Sequence, residues 1–125
     1  MQQAQAAIVL LAHGSRDPLW RQPIEAVAAS IQARQPDLAV RCAYLELCEP
    51  GLPAALADLA TLGAARISIV PLFLGAGHHV RDDLPRQVQA LALAHPQIEL
   101  RLQPPMGENE RVTALMADIA AQTIR

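Results

Sequence analysis

Residues 7–17 read AIVLLAHGSRD. Six apolar residues run without a polar break and then give way abruptly to His13-Gly14-Ser15-Arg16-Asp17. An unbroken run this short suits a strand covered on both faces, as in parallel sheets, better than an alternating antiparallel strand. The rest of the chain repeats the theme. Pro18 to about Arg34 places Trp20, Ile24, Val27, Ala28 and Ile31 at helical spacing, and Pro36 ends it. Leu38–Leu47 reads as a second strand, broken by Pro50-Gly51. Pro53–Leu62 reads as a helix with proline in its first turn and Gly63 as its cap.

Arg66–Leu74 (RISIVPLFL) predicts a third strand, ending near Pro71 because proline removes a ladder donor. Asp82 or Asp83 is expected to cap the next helix, with Pro85 just inside it and Pro96 beyond its end. Ile98–Leu102 predicts a fourth strand. Asn109 is expected to cap a last helix whose Val112, Leu115, Met116 and Ile119 share a face. The alternation β-α-β-α-β-α-β-α predicts one α/β domain over residues 1–125, a four-stranded parallel sheet flanked by helices.

Composition narrows the function. The net charge of −2 gives no electrostatic reason for a nucleic-acid partner. The N-terminus lacks a charged leader pattern and its apolar run is too short to span a membrane, so a cytoplasmic protein with no membrane partner is expected. Cys42 and Cys48 then read as reduced thiols. Every basic side chain is Arg and none is Lys, which excludes a Walker-type lysine or a Schiff base. Arginine's planar fork suits carboxylates.

In open parallel sheets ligands bind beyond the carboxyl ends of the strands. The residues expected there are His13, Ser15 and Arg16 after the first strand and Glu46 and Glu49 after the second. Gly75, Gly77, His78 and His79 follow the third, and Met106, Gly107 and Glu108 the fourth. A 2-1-3-4 strand order makes the first and third strands neighbours and brings the loops of His13 and His79 together. Imidazole titrates near neutrality and ligates Co, Ni, Fe and Zn, and Glu46 adds a carboxylate for ligation or proton transfer. Gly75 and Gly77 suit a turn needing positive φ. His13-x-x-Arg16-Asp17 and His78-x-x-Arg81-Asp82 form a short echo. No four-ligand Cys/His set for structural zinc and no GxSxG elbow is present. A metal carrier and a metal-inserting enzyme both remain compatible with these residues. A histidine phosphatase-like reading of LLAHGSRD fails at Ala12, where an arginine clamp belongs.

LLAHGSRDP and PLFLGAGHHVRDDLP resemble the two signatures of small CbiX-type sirohydrochlorin cobaltochelatases, and YLELCEP resembles that family's middle block. The second signature is matched at Pro71, Phe73, Leu74, Gly77, His79, Val80, Asp83, Leu84 and Pro85. The resemblance implies a half-sized class II chelatase with a flavodoxin-like 2-1-3-4 order, pairing as a homodimer around a tetrapyrrole. It implies insertion of a divalent metal substrate, Co²⁺ or alternatively Fe²⁺ or Ni²⁺, into sirohydrochlorin without ATP or an organic cofactor. His13 and His79 would hold the metal and act with Glu46 in catalysis, while Ser15, Arg16, Gly75, Gly77 and Arg81 would contact the macrocycle. His78 occupies a variable position of the motif.

Overall fold

The structure, a computed structural model, describes residues 5–124. Its strands are β1 (Gln5–Ala12), β2 (Ala39–Tyr44), β3 (Ala64–Pro71) and β4 (Glu99–Leu102). They form one sheet in the order β2-β1-β3-β4, and each neighbouring pair is parallel. The helices are α1 (Gln22–Arg34), α2 (Leu52–Thr61), α3 (His78–Ala94) and α4 (Glu110–Gln122). A 3-10 turn at Pro18–Arg21 leads into α1, and another at Met106–Glu108 precedes α4. No helix among the described residues is long and apolar enough to cross a membrane.

Alternation along the strands divides the core. Ala7, Val9 and Leu11 of β1 and Ile67 and Ile69 of β3 join Leu52, Ala55, Leu56 and Leu59 of α2 and Leu84 and Val88 of α3 in one buried cluster. The α2 residues recur at i, i+3, i+4 and i+7, so the helix offers the sheet a continuous stripe. Each fully buried Leu or Ile here contributes roughly 1.5–3 kcal/mol by leaving water. Gly51 caps α2 and Pro53 pre-sets its first turn. Gly63, at φ +87°, ends it in a conformation that costs any other residue strain.

The opposite face is covered unevenly. Leu10, Ala12, Val40 and Tyr44 are buried there, and α1 packs over β2 and β1. The β3–β4 half of that face carries half-exposed Ser68 and Val70 and exposed Arg66, Glu99 and Arg101. The C-terminal helix does not cover it. No residue of α4 is buried, and its substantial packing is limited to the 3-10 turn before it. The expected stripe of Val112, Leu115, Met116 and Ile119 therefore exists but faces away from the core.

Two other expectations change. The α3 helix begins at His78 with Gly77 as its N-cap, so Asp82 and Asp83 are interior and Pro85 lies inside the helix. Its inward stripe runs Val80, Leu84, Val88, Leu91 and already needs helical geometry at Val80. Pro85 removes the hydrogen bond to the Arg81 carbonyl, but both residues are exposed and water can replace it. Gly75 and Gly77 do not have positive φ, and a Cβ at either would meet open space. The turn after β3 does not require glycine.

Tyr44 yields a measurable consequence. It is almost wholly buried, and burial first, then the neighbouring Cys42 thiol, pushes its phenol up to about 12. Because it is the chain's only tyrosine, absorbance at alkaline pH reports it alone. We expect a folded-state midpoint near 12. The unfolded chain loses that proton near pH ~10, so the stability tied to the neutral phenol is present below pH ~10 and is lost as pH rises toward the folded value. A midpoint at the ordinary tyrosine value would show that Tyr44 is solvated.

Candidate functional site

The parallel pairing of β1 with β2 continues past the strand ends. The Leu45 N–H donates to the Ala12 carbonyl at 2.9 Å and the Glu46 N–H to the His13 carbonyl at 3.0 Å. His13 and Glu46 are thereby fixed side by side by the backbone. Gly14, at φ +110°, lies against the Glu46 carbonyl, and a Cβ there would collide with it. Beyond Glu46 the chain turns at Leu47, which has a φ of 70°.

From the other side, the loop after β3 brings Phe73 under His13. Their rings stack with centroids 4.4 Å apart and planes 30° apart. Phe73 is buried, so the imidazole rests on a rigid apolar platform. His79 arrives on the first turn of α3. His13, Glu46 and His79 line one open cleft of ≈ 630 Å³, with Leu45, Val80 and Leu84 supplying its apolar surface. The 2-1-3-4 order accounts for this meeting, because it sets the exits of β1 and β3 side by side.

Among the described residues, no three His, Cys, Asp or Glu side chains are gathered tightly enough to hold an ion. The cleft therefore shares donors across a gap and contrasts with the closed cages of structural metal sites. Such an arrangement leaves room for a ligand between the donors.

The remaining sequence candidates are distributed around this cleft. Ser15 does not line it; its hydroxyl accepts from the Asp17 N–H at 3.1 Å and stiffens the loop. Asp17 then caps the following turn through the Leu19 N–H at 3.0 Å. Arg16, Gly75 and Gly77 also stand off the cleft wall. Arg81 lines an adjoining apolar hollow of ≈ 280 Å³, together with Phe73, Leu84 and Pro105. Phe73 and Leu84 join the two regions, since His13 stacks on the first and both hollows touch the second. His78 is outside the cleft; it is exposed and its Nε2 is 3.2 Å from an Asp82 carboxylate oxygen. The H-x-x-R-D echo is not structural, because Asp17 caps a turn whereas Asp82 is inside a helix.

Three cleft residues escaped the sequence reading. Asp83, Arg86 and Gln87 line the wall beside His79. They follow it at i+4, i+7 and i+8, so helical spacing from His79 would have found them. Placing the helix start at Asp82 or Asp83 concealed that spacing.

Comparison with known proteins gives a consistent set of likenesses. The CbiX family model matches residues 7–123. A sirohydrochlorin cobaltochelatase from Methanopyrus kandleri is 37% identical over 82 residues, covering 66% of this chain and 57% of that protein's length. Another from Methanococcoides burtonii is 26% identical over 125 residues, covering 94% of this chain and 95% of that protein. The crystal structure of a CbiX protein from Marinobacter aquaeolei superimposes with a TM-score of 0.82 at 34% identity, covering 95% of this chain and 97% of that one. SirB from Bacillus subtilis subspecies spizizenii, a sirohydrochlorin chelatase crystallised with cobalt, gives a TM-score of 0.79 at 26% identity; this chain covers only 51% of it.

Proposed function

This chain belongs to the CbiX family, and on that premise we propose that it inserts a divalent metal, Co²⁺ first, into sirohydrochlorin. The observation that carries the proposal is the single cleft shared by His13, Glu46 and His79. The cobaltochelatase names of the Methanopyrus and Methanococcoides relatives support cobalt. A Priestia megaterium relative named sirohydrochlorin ferrochelatase makes Fe²⁺ the alternative to test, with Ni²⁺.

The reaction is redox-neutral. A divalent ion sheds water and binds four ring nitrogens, and two pyrrole N–H protons leave. His13 and His79 present the metal from the cleft, using neutral imidazole as the ligand. Two donors without a closed cage hold an ion weakly enough to pass it on. Glu46 accepts a departing proton, and Asp83 offers a second carboxylate on the same wall. The substrate's peripheral carboxylates meet Arg86 in the cleft and Arg81 over the adjoining hollow, where the guanidinium fork gives paired hydrogen bonds. Arg16, Ser15, Gly75 and Gly77 border the ring's periphery in this reading. ATP and an organic cofactor have no part in it.

The chain works as a homodimer in the cytoplasm. Its match to about half of SirB supports pairing, with the second copy supplying the other half. Two free cysteines, Cys42 and Cys48, suit a reducing compartment.

The test is spectrophotometric. Sirohydrochlorin mixed with Co²⁺ is expected to metallate many times faster with catalytic amounts of protein than without it. An unchanged rate overturns the proposal. A single stoichiometric burst without turnover identifies a metal or tetrapyrrole carrier. Parallel runs with Fe²⁺ and Ni²⁺ rank the metals.

A further inference from the structure

The sequence holds one Trp, one Tyr and one Phe. Trp20 and Tyr44 pair with each other, their ring centroids 6.1 Å apart. Phe73 is set against His13 instead, at 4.4 Å, the near limit of aromatic stacking. A histidine that presents a metal is ordinarily oriented by a hydrogen bond from its second ring nitrogen to a carboxylate or carbonyl, which also raises its basicity. His13 has no such partner. Among the described residues nothing hydrogen-bonds its ring, Glu46 included, although the backbone holds Glu46 beside it. The imidazole is exposed, and an exposed ring without a hydrogen bond turns among its rotamers unless packing stops it. The face of Phe73 supplies that stop.

Phe73 is itself held from several sides. It is 5% exposed. Just before it, the Leu72 N–H donates to the Leu11 carbonyl of β1 at 2.8 Å. Its own carbonyl accepts from the Gly107 N–H at 3.0 Å. Gly107 lies so close to the Leu74 backbone that a Cβ would collide with it. The turn after β4 therefore buttresses a residue at the exit of β3, and that residue supports one at the exit of β1.

We propose that Phe73, buttressed by Gly107, is a positioning residue for His13, its ring face fixing the imidazole plane for metal delivery where a hydrogen bond would ordinarily do so. The inference rests on the metal-inserting reading above and adds the device that aims one of its donors. The exchange of a hydrogen bond for a ring has a chemical consequence. A carboxylate on the far nitrogen would strengthen the imidazole as a donor and hold the ion, whereas a phenyl face orients the ring without adding basicity. When the ion binds, part of its charge spreads onto the imidazole, and the negative face of the benzene ring attracts that charge. The donor is thus aimed without becoming a trap, which suits an ion that must be handed on to a macrocycle.

Proton NMR on the unmodified chain gives the first test. One histidine should show ring protons displaced upfield by the Phe73 ring current, and that signal should vanish in His13→Ala. Phe73→Leu, Phe73→Tyr and Gly107→Ala are then compared with Val88→Ala, which removes buried volume from the same core cluster at a residue that does not line the cleft. Each chain is assayed at a temperature where circular dichroism shows it folded. Phe73→Leu should lose the upfield shift. Its Kd for Co²⁺ alone should rise, and its kcat for insertion fall, by about 10-fold or more, the usual scale for removing the partner of a metal-bound histidine. KM for sirohydrochlorin should stay within about threefold, because the lost interaction is not with the macrocycle. Phe73→Tyr should keep the shift and most of the rate, since the hollow of ≈ 280 Å³ that Phe73 also lines has room for the hydroxyl. Gly107→Ala should reduce shift and rate in part, and Val88→Ala should lose stability alone. A wild-type chain without an upfield histidine overturns the proposal. So does Phe73→Leu behaving like Val88→Ala, or Phe73→Tyr as impaired as Phe73→Leu. Gly107→Ala with the wild-type shift and rate overturns the buttress. A wild-type chain that inserts no metal defeats the metal-inserting reading instead, and the ring shift and Co²⁺ affinity then decide the role of Phe73 on their own.

Discussion

Replacing His79 by Ala is expected to cut the protein-dependent rate of metal insertion by about 100- to 10,000-fold, the usual scale for losing a positioned acid–base group. Fold stability should hardly change. His79 is exposed on the first turn of α3, and the core stripe of that helix uses Val80, Leu84 and Val88. His78→Ala is the matched control. It removes an exposed pair with Asp82 at 3.2 Å, of a type worth a few tenths of a kcal/mol. Its side chain is not on the cleft wall, so its rate should stay within about threefold of the wild type, a barrier change of about 0.6 kcal/mol where each tenfold is about 1.4 kcal/mol. Equal losses in both variants would mean that the doublet acts as a unit. Undiminished activity in His79→Ala would remove the chemical assignment altogether. His13→Ala is a less clean probe, because its ring also stacks on Phe73 and its loss should disturb packing as well as chemistry.

The sheet was legible because its strands have one period and sharp edges. AIVLLA is a continuous apolar run, as a doubly covered parallel strand requires, whereas RISIV alternates, burying Ile67 and Ile69 and leaving Arg66 and Ser68 on the thinly covered face; both became central strands. The neighbourhood of His13, Glu46 and His79 then followed from strand order alone. Three features were hidden for separate reasons. The start of α3 was obscured by Pro85, which looks like a first-turn proline but is the eighth residue of the helix, on an exposed side where solvent can replace the missing hydrogen bond. Asp83, Arg86 and Gln87 were lost with that boundary. The course of α4 was invisible because an amphipathic stripe reveals that a helix needs an apolar partner and not which one; the deciding contact is between Gly107 and the Leu74 backbone, far apart in sequence. Likewise, the glycines that attracted notice were Gly75 and Gly77 beside the histidines, whereas the tightly constrained ones are Gly14 and Gly107.

That contrast supplies the second large prediction. Gly14→Ala places a methyl group against the Glu46 carbonyl and holds alanine at a φ of +110°. The unfavourable backbone conformation alone costs about 1–3 kcal/mol. Relieving the collision requires the β1 and β2 exits to separate, which stretches the 3.0 Å bond from the Glu46 N–H to the His13 carbonyl. We expect a stability loss of about 2–4 kcal/mol in denaturant titration and a Tm lower by roughly 10 °C. At temperatures where the variant remains folded, insertion should still slow by 10-fold or more, since a displacement near 1 Å at a reacting group can cost about 100-fold. Gly75→Ala isolates the steric cause. Its Cβ meets open space and its φ is ordinary, so stability should be unchanged or slightly higher as the unfolded chain loses freedom. A stable Gly75→Ala with weakened sirohydrochlorin binding would place the macrocycle close to that backbone. A Gly14→Ala chain as stable as the wild type would show that the two strand exits yield freely, and the backbone clamp between His13 and Glu46 would then have to be abandoned as the device that aligns the site.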